Sequence, residues 1–190
     1  MPKIIKLTLC FAFAVIFLVA SSYAVFLRRK PVLAGNGSSN TETQLAISLL
    51  ESELKKIESN RSNKDYRTII ENDFNCRFYI YKEVDLPEGV DGQCLPMLRI
   101  IKIDNKAENF FYCSTFAHEM IHLTGYIQQE SYVNFQTFLY LFEHDDPEFH
   151  NFGVLLGIYS LQGMYPREYD CNGNIINFVI TKLNNKNSTV

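Results

Sequence analysis

Two histidines and a glutamate stand at a spacing that suits metal-dependent chemistry. His118, Glu119 and His122 form an HExxH sequence. On a helix, residues four apart project from the same face, so both imidazoles can ligate one Zn²⁺ ion. The glutamate beside the first histidine then reaches the attacking water and can remove its proton. The spacing therefore predicts a catalytic zinc site with Glu119 as the general base.

A catalytic zinc site takes three protein ligands, so a third ligand is required. We predict Glu130, because it follows a turn at Gly125 and opens the next helix, where an antiparallel helical hairpin brings it back to the histidines. Asn134 lies one turn further along the same face and is predicted to accept the other ring N–H of a ligating histidine. His144 and His150 remain alternative third ligands.

The expected reaction is attack by water on a carbonyl group polarised by the metal. Glu119 would act as the base and then as the proton donor to the leaving amine. A donor that stabilises the oxyanion is also expected. The sequence does not distinguish four candidates for it, and each is also typical of an ordinary packing or surface residue: His144, His150, Tyr126 and Tyr159.

Helices are predicted to carry most of these residues. The HExxH helix is expected to begin at an N-cap Ser114 and to end at Gly125. Residues 129–142 are apolar almost all round and predict a buried helix. An N-cap and a first-turn proline at Asp146 and Pro147 then open another helix that runs towards Leu161.

The remaining elements complete an α+β fold class, mostly helical, with a small sheet preceding the HExxH helix. Residues 43–59 show the spacing of an amphipathic helix. Alternating apolar residues over 74–84 predict a half-buried strand, and residues 97–104 are a second strand candidate. Residues 174–183 fit either a strand or a helix.

The beginning of the chain predicts a membrane-targeting element. Residues 7–27 are uncharged and apolar over a length that can cross a bilayer, and basic residues flank the run. The run favours a retained signal-anchor helix by its length, with a signal peptide cleaved after Ala24 as the alternative. Residues 31–40 are typical of a flexible tether. We therefore expect an anchor or signal in 1–30 and a catalytic domain in 41–190, which is exported on a single-pass anchor or secreted.

Charge excludes one class of partner. The 190 residues carry 18 basic and 21 acidic side chains, but five of the basic ones lie within the first thirty positions. The remainder holds 13 basic and 21 acidic side chains, a net charge of −8. Nucleic acid binding requires clustered lysine and arginine, so we expect no nucleic acid partner.

The cysteines leave the redox state open. Cys10 lies in the apolar run, and four others lie in the expected domain: Cys76, Cys94, Cys113 and Cys171. An exported domain can join four cysteines in two disulfides. Buried unpaired thiols that pack as small hydrophobic groups are the alternative.

The segment HEMIHLTGY followed by ESYVNF resembles the gluzincin pattern, in which HExxH is followed by ExxxD or ExxxN on a second helix. It is also similar to an uncharacterised bacterial membrane-protein family with an HExxHxxG segment, over residues 116–153. The resemblance implies a zincin-like domain and zinc peptidase chemistry on a peptide or protein substrate. It implies metal ligands at His118, His122 and Glu130.

The sequence departs from this second family in two places. The loop between His122 and Glu130 is one residue longer, and Tyr132 stands where the family has a second acidic residue. Two other functions therefore stay open. One is a non-catalytic, membrane-tethered zinc-binding module. The other is an antirestriction-type protein, since HEMIHLTG also resembles the HExxHWTG segment of those factors, although Leu123 replaces their tryptophan.

Overall fold

The computed structural model describes residues 41–56, 64–107, 109–164 and 171–187, all within the unit Ser39–Val190. In chain order the described elements are α1 (Thr41–Lys56), α2 (Tyr66–Asp73), β1 (Ile80–Val84), β2 (Gly92–Leu95), a 3₁₀ turn (Pro96–Leu98), β3 (Ile100–Asp104), α3 (Phe110–Gly125), α4 (Glu130–Phe142), α5 (Pro147–Leu161) and α6 (Asn172–Asn187). The expected α+β class, mostly helical with a small sheet before the HExxH helix, is confirmed.

The predicted anchor or signal segment and the tether, residues 1–40, lie outside the described residues. Within the part of the chain that the structure does describe, no helix combines the length and the apolar character needed to cross a membrane.

The sheet has the strand order β1-β3-β2, with β1 parallel and β2 antiparallel to the central β3. Ile101 and Ile103 of β3 are fully buried against the helices, which makes this strand the inner wall of the core. The predicted strand 97–104 is correct only from Ile100 onward. Its first residues form the 3₁₀ turn, and Arg99 takes a left-handed conformation that redirects the chain into β3.

The prediction of a strand over 74–84 is wrong in its first half. Phe74 caps the short helix α2, and β1 begins only at Ile80. Asp65 starts this helix, because its carboxylate accepts the backbone N–H of Thr68. Alternation also misplaced a side chain, since Phe78 is 86% exposed instead of buried.

Helix α3 forms the centre of the core and carries the HExxH residues. It begins at Phe110, so the prediction of Ser114 as its N-cap is wrong. The Ser114 hydroxyl instead donates to the carbonyl of Phe110 within the helix, at 2.7 Å. The helix ends at Gly125 as expected, but Tyr126 takes the left-handed capping conformation, with φ 51°. Along its buried face, Phe116 and Met120 are fully enclosed.

The three later helices agree closely with the sequence. Helix α4 covers the predicted segment to within one residue. Helix α5 opens as expected, with Pro147 in its first turn and the Asp146 carboxylate accepting the N–H of Glu148. Residues 174–183, for which the sequence left two options, belong to helix α6.

Candidate metal centre

Three side chains meet near the turn that joins α3 and α4 in a helical hairpin. His118 and His122 lie one turn apart on α3, and Glu130 is the first residue of α4. The two imidazole Nε2 atoms are 3.0 Å apart. Oε2 of Glu130 lies 3.1 Å from Nε2 of His118 and 3.3 Å from Nε2 of His122. The structure therefore brings together the three residues that the sequence singled out as ligands.

The spacing of these atoms fits a metal ion. In a tetrahedral zinc site with bond lengths of about 2.0–2.1 Å, two ligand atoms lie about 3.3 Å apart. The three separations of 3.0, 3.1 and 3.3 Å are close to that value. His118, His122 and Glu130 can therefore hold a metal ion between them.

A backbone carbonyl fixes the orientation of one histidine. Nδ1 of His122 lies 2.5 Å from the carbonyl oxygen of Ile127, which only accepts hydrogen bonds. Nδ1 must therefore carry a proton, and in the neutral ring this leaves the lone pair of Nε2 directed at the cluster. This contact could not be predicted from the sequence, because a backbone group in a turn has no residue-type signature.

Asn134 was predicted to orient a ligating histidine in this way. It is buried on α4, one turn after Glu130, with 8% of its surface exposed. Among the described hydrogen bonds, however, the acceptor for His122 is Ile127, and none joins Asn134 to either histidine. An orienting role for Asn134 stays a prediction.

The contacts within the cluster favour the ionised form of the Glu130 carboxylate. Burial acts to raise the pKa of Glu130, but hydrogen bonds from His118 and His122 outweigh it and lower this pKa to about 2. Burial acts to lower the pKa of His122, whereas its bonds to Glu130 and Ile127 raise it overall. A negative carboxylate at neutral pH is the form that ligates a cation.

Glu119 lies beside the cluster but is held by a different element. Its side chain is buried, with 6% of the residue exposed, and its carboxylate accepts the backbone N–H of Cys94 in β2. The contact needs a glycine opposite it, because a Cβ on Gly92 would lie 2.5 Å from Cγ2 of Thr115 and 2.8 Å from Oε1 of Glu119. Burial raises the pKa of Glu119, which makes it a stronger base than an exposed carboxylate.

The outlying histidines do not join the cluster. Nε2 of His144 lies 3.2 Å from a carboxylate oxygen of Asp73, and Nδ1 of His150 lies against the carbonyl oxygen of Phe142. The metal-ligand cluster found among the described residues contains neither of them. Both alternatives for the third ligand therefore lose their support, and both rings are engaged away from the site.

The two tyrosine candidates for oxyanion stabilisation lie in different settings. Tyr126 is 56% exposed and follows directly after the HExxH helix. The ring of Tyr159 packs against Phe110 at the beginning of that helix, three turns before His122. Of the two, only Tyr126 belongs to the turn that also supplies Ile127.

A separate open groove of about 760 Å³ runs along α4. Its acidic end is formed by Asp73, Glu143 and Asp145, and none of the three cluster residues lines it. Two of these carboxylates already have partners, since Asp73 accepts the Tyr140 hydroxyl and Glu143 pairs with Lys182. The groove is therefore distinct from the metal centre.

Comparison of the chain with protein-family models, with curated proteins and with solved structures gives no match.

Proposed function

We propose that this protein is a zinc-dependent peptidase of gluzincin type, with a zincin-like domain. The observation that carries the proposal is the triangle of His118, His122 and Glu130, with the buried carboxylate of Glu119 beside it but outside it. Three ligands leave a position for water in a four-coordinate site, which is typical of catalytic zinc.

Each residue then has a defined task. A bound zinc ion would lower the pKa of water and polarise a substrate carbonyl. Glu119 removes the proton of the attacking water, and its raised pKa suits it to hold that proton until the leaving amine takes it. The carbonyl of Ile127 keeps the ring of His122 in the ligating tautomer. Glu130 supplies the negative charge that balances the metal.

The edge strand β2 supports a peptide as the substrate. The carbonyl of Asp91 accepts the N–H of Asp104 in the neighbouring strand. In an antiparallel pair, hydrogen-bonded and non-hydrogen-bonded residues alternate along the strand. The backbone groups of Gly92 and Cys94 therefore point away from β3. The Cys94 N–H reaches Glu119 on that side. An extended peptide that adds to this edge by backbone hydrogen bonds would lie next to the base and the cluster.

The proposal includes the location. Residues 7–27 would hold the catalytic domain on the exported side of a membrane, or release it by signal cleavage. A reporter fused after Val190 should be active only outside the cytoplasm. Activity on the cytoplasmic side would contradict this part and leave the chemistry untouched.

The decisive experiment separates metal binding from turnover. Purified protein should contain one zinc ion per chain, and hydrolysis of a peptide library should stop on chelation and return with zinc. Glu119→Gln should keep the zinc and lose activity by about 10²–10⁴-fold, the usual contribution of a general base. Glu88→Gln, at an exposed glutamate, is the matched control and should change neither quantity.

Two outcomes would contradict the proposal. Loss of zinc in Glu119→Gln would mean that the roles of base and ligand are misassigned. Zinc-loaded wild-type protein without chelator-sensitive hydrolysis would instead favour the non-catalytic zinc-binding module.

A further inference from the structure

The outer face of the sheet carries apolar side chains at one end. Ile80 and Leu95 both pair with Ile100, so the three form one row across the strands. Ile101, the next residue of β3, is fully buried on the opposite face, so this row faces away from the helices. Ile80 is 52% exposed.

The 3₁₀ turn extends this row into a larger surface. Phe78 is 86%, Met97 87% and Leu98 65% exposed. Arg99 fixes the backbone at Phe78 and Ile80, because its side chain donates to the carbonyl of Phe78 and its carbonyl accepts the N–H of Ile80. We call this surface the sheet-end patch; it comprises Phe78, Ile80, Leu95, Met97, Leu98 and Ile100. Large exposed apolar side chains grouped at one end of a sheet favour an interaction surface.

Basic side chains continue the same face. Lys82 and Lys102 are register partners in β1 and β3, two residues beyond Ile80 and Ile100, so they share the outer face with the patch. Arg77 is exposed next to Phe78. The carboxylate of Asp104, at the far end of the face, accepts the backbone N–H groups of Leu86 and Lys106. An apolar patch bordered by cations fits a bilayer with anionic headgroups.

We propose that the sheet-end patch docks on an anionic phospholipid bilayer, an inference that rests on the membrane anchoring proposed above. Residues 31–40 join the apolar run and the basic residues 28–30 to the domain. Whatever their conformation, ten residues span at most about 35 Å. An anchored domain therefore stays within reach of the bilayer.

Tethering makes a weak surface sufficient. Because the anchor already confines the domain to the membrane, docking is an intramolecular step at high effective concentration. Leu95 of the patch directly follows Cys94, whose N–H binds Glu119, so the patch and the base lie on opposite faces of the sheet at the same strand. Docking would place the catalytic residues near the membrane surface, where segments of other anchored proteins are the accessible peptides.

The chain lacks tryptophan, which provides a sharp test. Met97→Trp places a single fluorophore in the patch, and Met164→Trp is the matched control at another exposed methionine. Met164 follows α5, and its backbone N–H binds the carbonyl of Tyr159. The ring of Tyr159 packs on Phe110, which opens the helix after β3, whereas the patch lies where β3 begins. Each variant of the full chain is reconstituted in vesicles of phosphatidylcholine and phosphatidylserine with brominated acyl chains. Met97→Trp should emit at shorter wavelength and be quenched, whereas Met164→Trp should emit as in water.

Charge reversal tests the lipid specificity. In the Met97→Trp background, Lys82→Glu with Lys102→Glu should lower the ratio of docked to undocked domain by at least about fivefold per lysine on anionic vesicles, because fivefold is the effect of removing one positive charge. On vesicles of phosphatidylcholine alone the two substitutions should have no effect.

Three outcomes would overturn the inference. A full chain that alkaline carbonate releases from the vesicles refutes the anchoring and the docking with it. A retained chain in which Met97→Trp emits like Met164→Trp refutes the docking alone. Emission that shifts with protein concentration but is not quenched by bromine shows that a second copy covers the patch instead.

Discussion

Gly92→Ala should destabilise the domain through close contacts with Thr115 and Glu119. Gly92 does not have a positive φ angle, so alanine fits its backbone conformation and the effect is limited to the added methyl group. That Cβ would lie 2.5 Å from Cγ2 of Thr115, whereas unstrained carbon atoms sit at about 3.5–4.0 Å. Helix α3 is fixed in the core by Phe116 and Met120, so β2 must move outward by about 1 Å.

The expected cost combines three terms. Overpacking of this kind costs about 1–3 kcal/mol. Moving β2 also weakens the hydrogen bond from Cys94 N–H to Glu119, for about 1 kcal/mol. Alanine restricts the unfolded chain and returns about 0.4–1 kcal/mol. The free energy of unfolding of the metal-free protein should therefore fall by about 1–3 kcal/mol.

Urea unfolding followed by circular dichroism, with chelator present, measures this change. Thr115→Ser removes Cγ2, so the double variant with Gly92→Ala should be more stable than the sum of the single changes by at least about 0.5 kcal/mol. Gly173→Ala is the matched control, because its Cβ meets nothing within 4 Å, and its stability should equal or exceed that of the wild type. If Gly92→Ala unfolds like Gly173→Ala, or if Thr115→Ser gives no relief, the assigned approach of β2 to α3 is wrong.

Three further expectations concern ligands and charges. Zinc at a thousand times its Kd should raise the free energy of unfolding by about 4 kcal/mol. Glu130→Ala should abolish this effect and His144→Ala should retain it. The reverse pattern would make the third ligand a histidine. Asp146→Asn keeps the helix cap but loses the pairing with Lys64, at 2.5 Å, and should cost about 0.5–1 kcal/mol at pH 7. Burial acts to raise the pKa of Asp146, but Lys64 lowers it overall. The wild type should therefore lose this advantage in stability below about pH 4, as the pH falls through the folded-state pKa. An equal difference between the two proteins at pH 7 and pH 3 would contradict the assignment.

The cluster of His118, His122 and Glu130 could be predicted from the sequence because each constraint on it is local. The separation of His118 and His122 is one helical turn, and helical periodicity supports a helix through both. Only four residues lie between Gly125, where the first helix ends, and Glu130, where the next begins. So short a connection makes the second helix return along the first. Helix and hairpin then leave little freedom in where the carboxylate lies.

The strand that positions the carboxylate of Glu119 could not be predicted in this way. β2 has only four residues, GQCL, and no apolar alternation, because its inward positions are a glycine and a cysteine. Its identity as a strand depends on pairing with β3, which is a tertiary contact. The alternation over 74–84 misled for the opposite reason, since Phe78 is apolar but lies on the exposed face.

In the proposed mechanism, metal binding and proton transfer would be carried by separate parts of the fold. All three proposed ligands, and the Ile127 carbonyl that orients His122, belong to one helical hairpin. Glu119 sits on the same helix, but its carboxylate is positioned by β2. A change in β2 should then reduce turnover without removing the metal, whereas a change in the hairpin should reduce both. This division requires that Gly92→Ala bind as much zinc as the wild type and hydrolyse substrate more slowly.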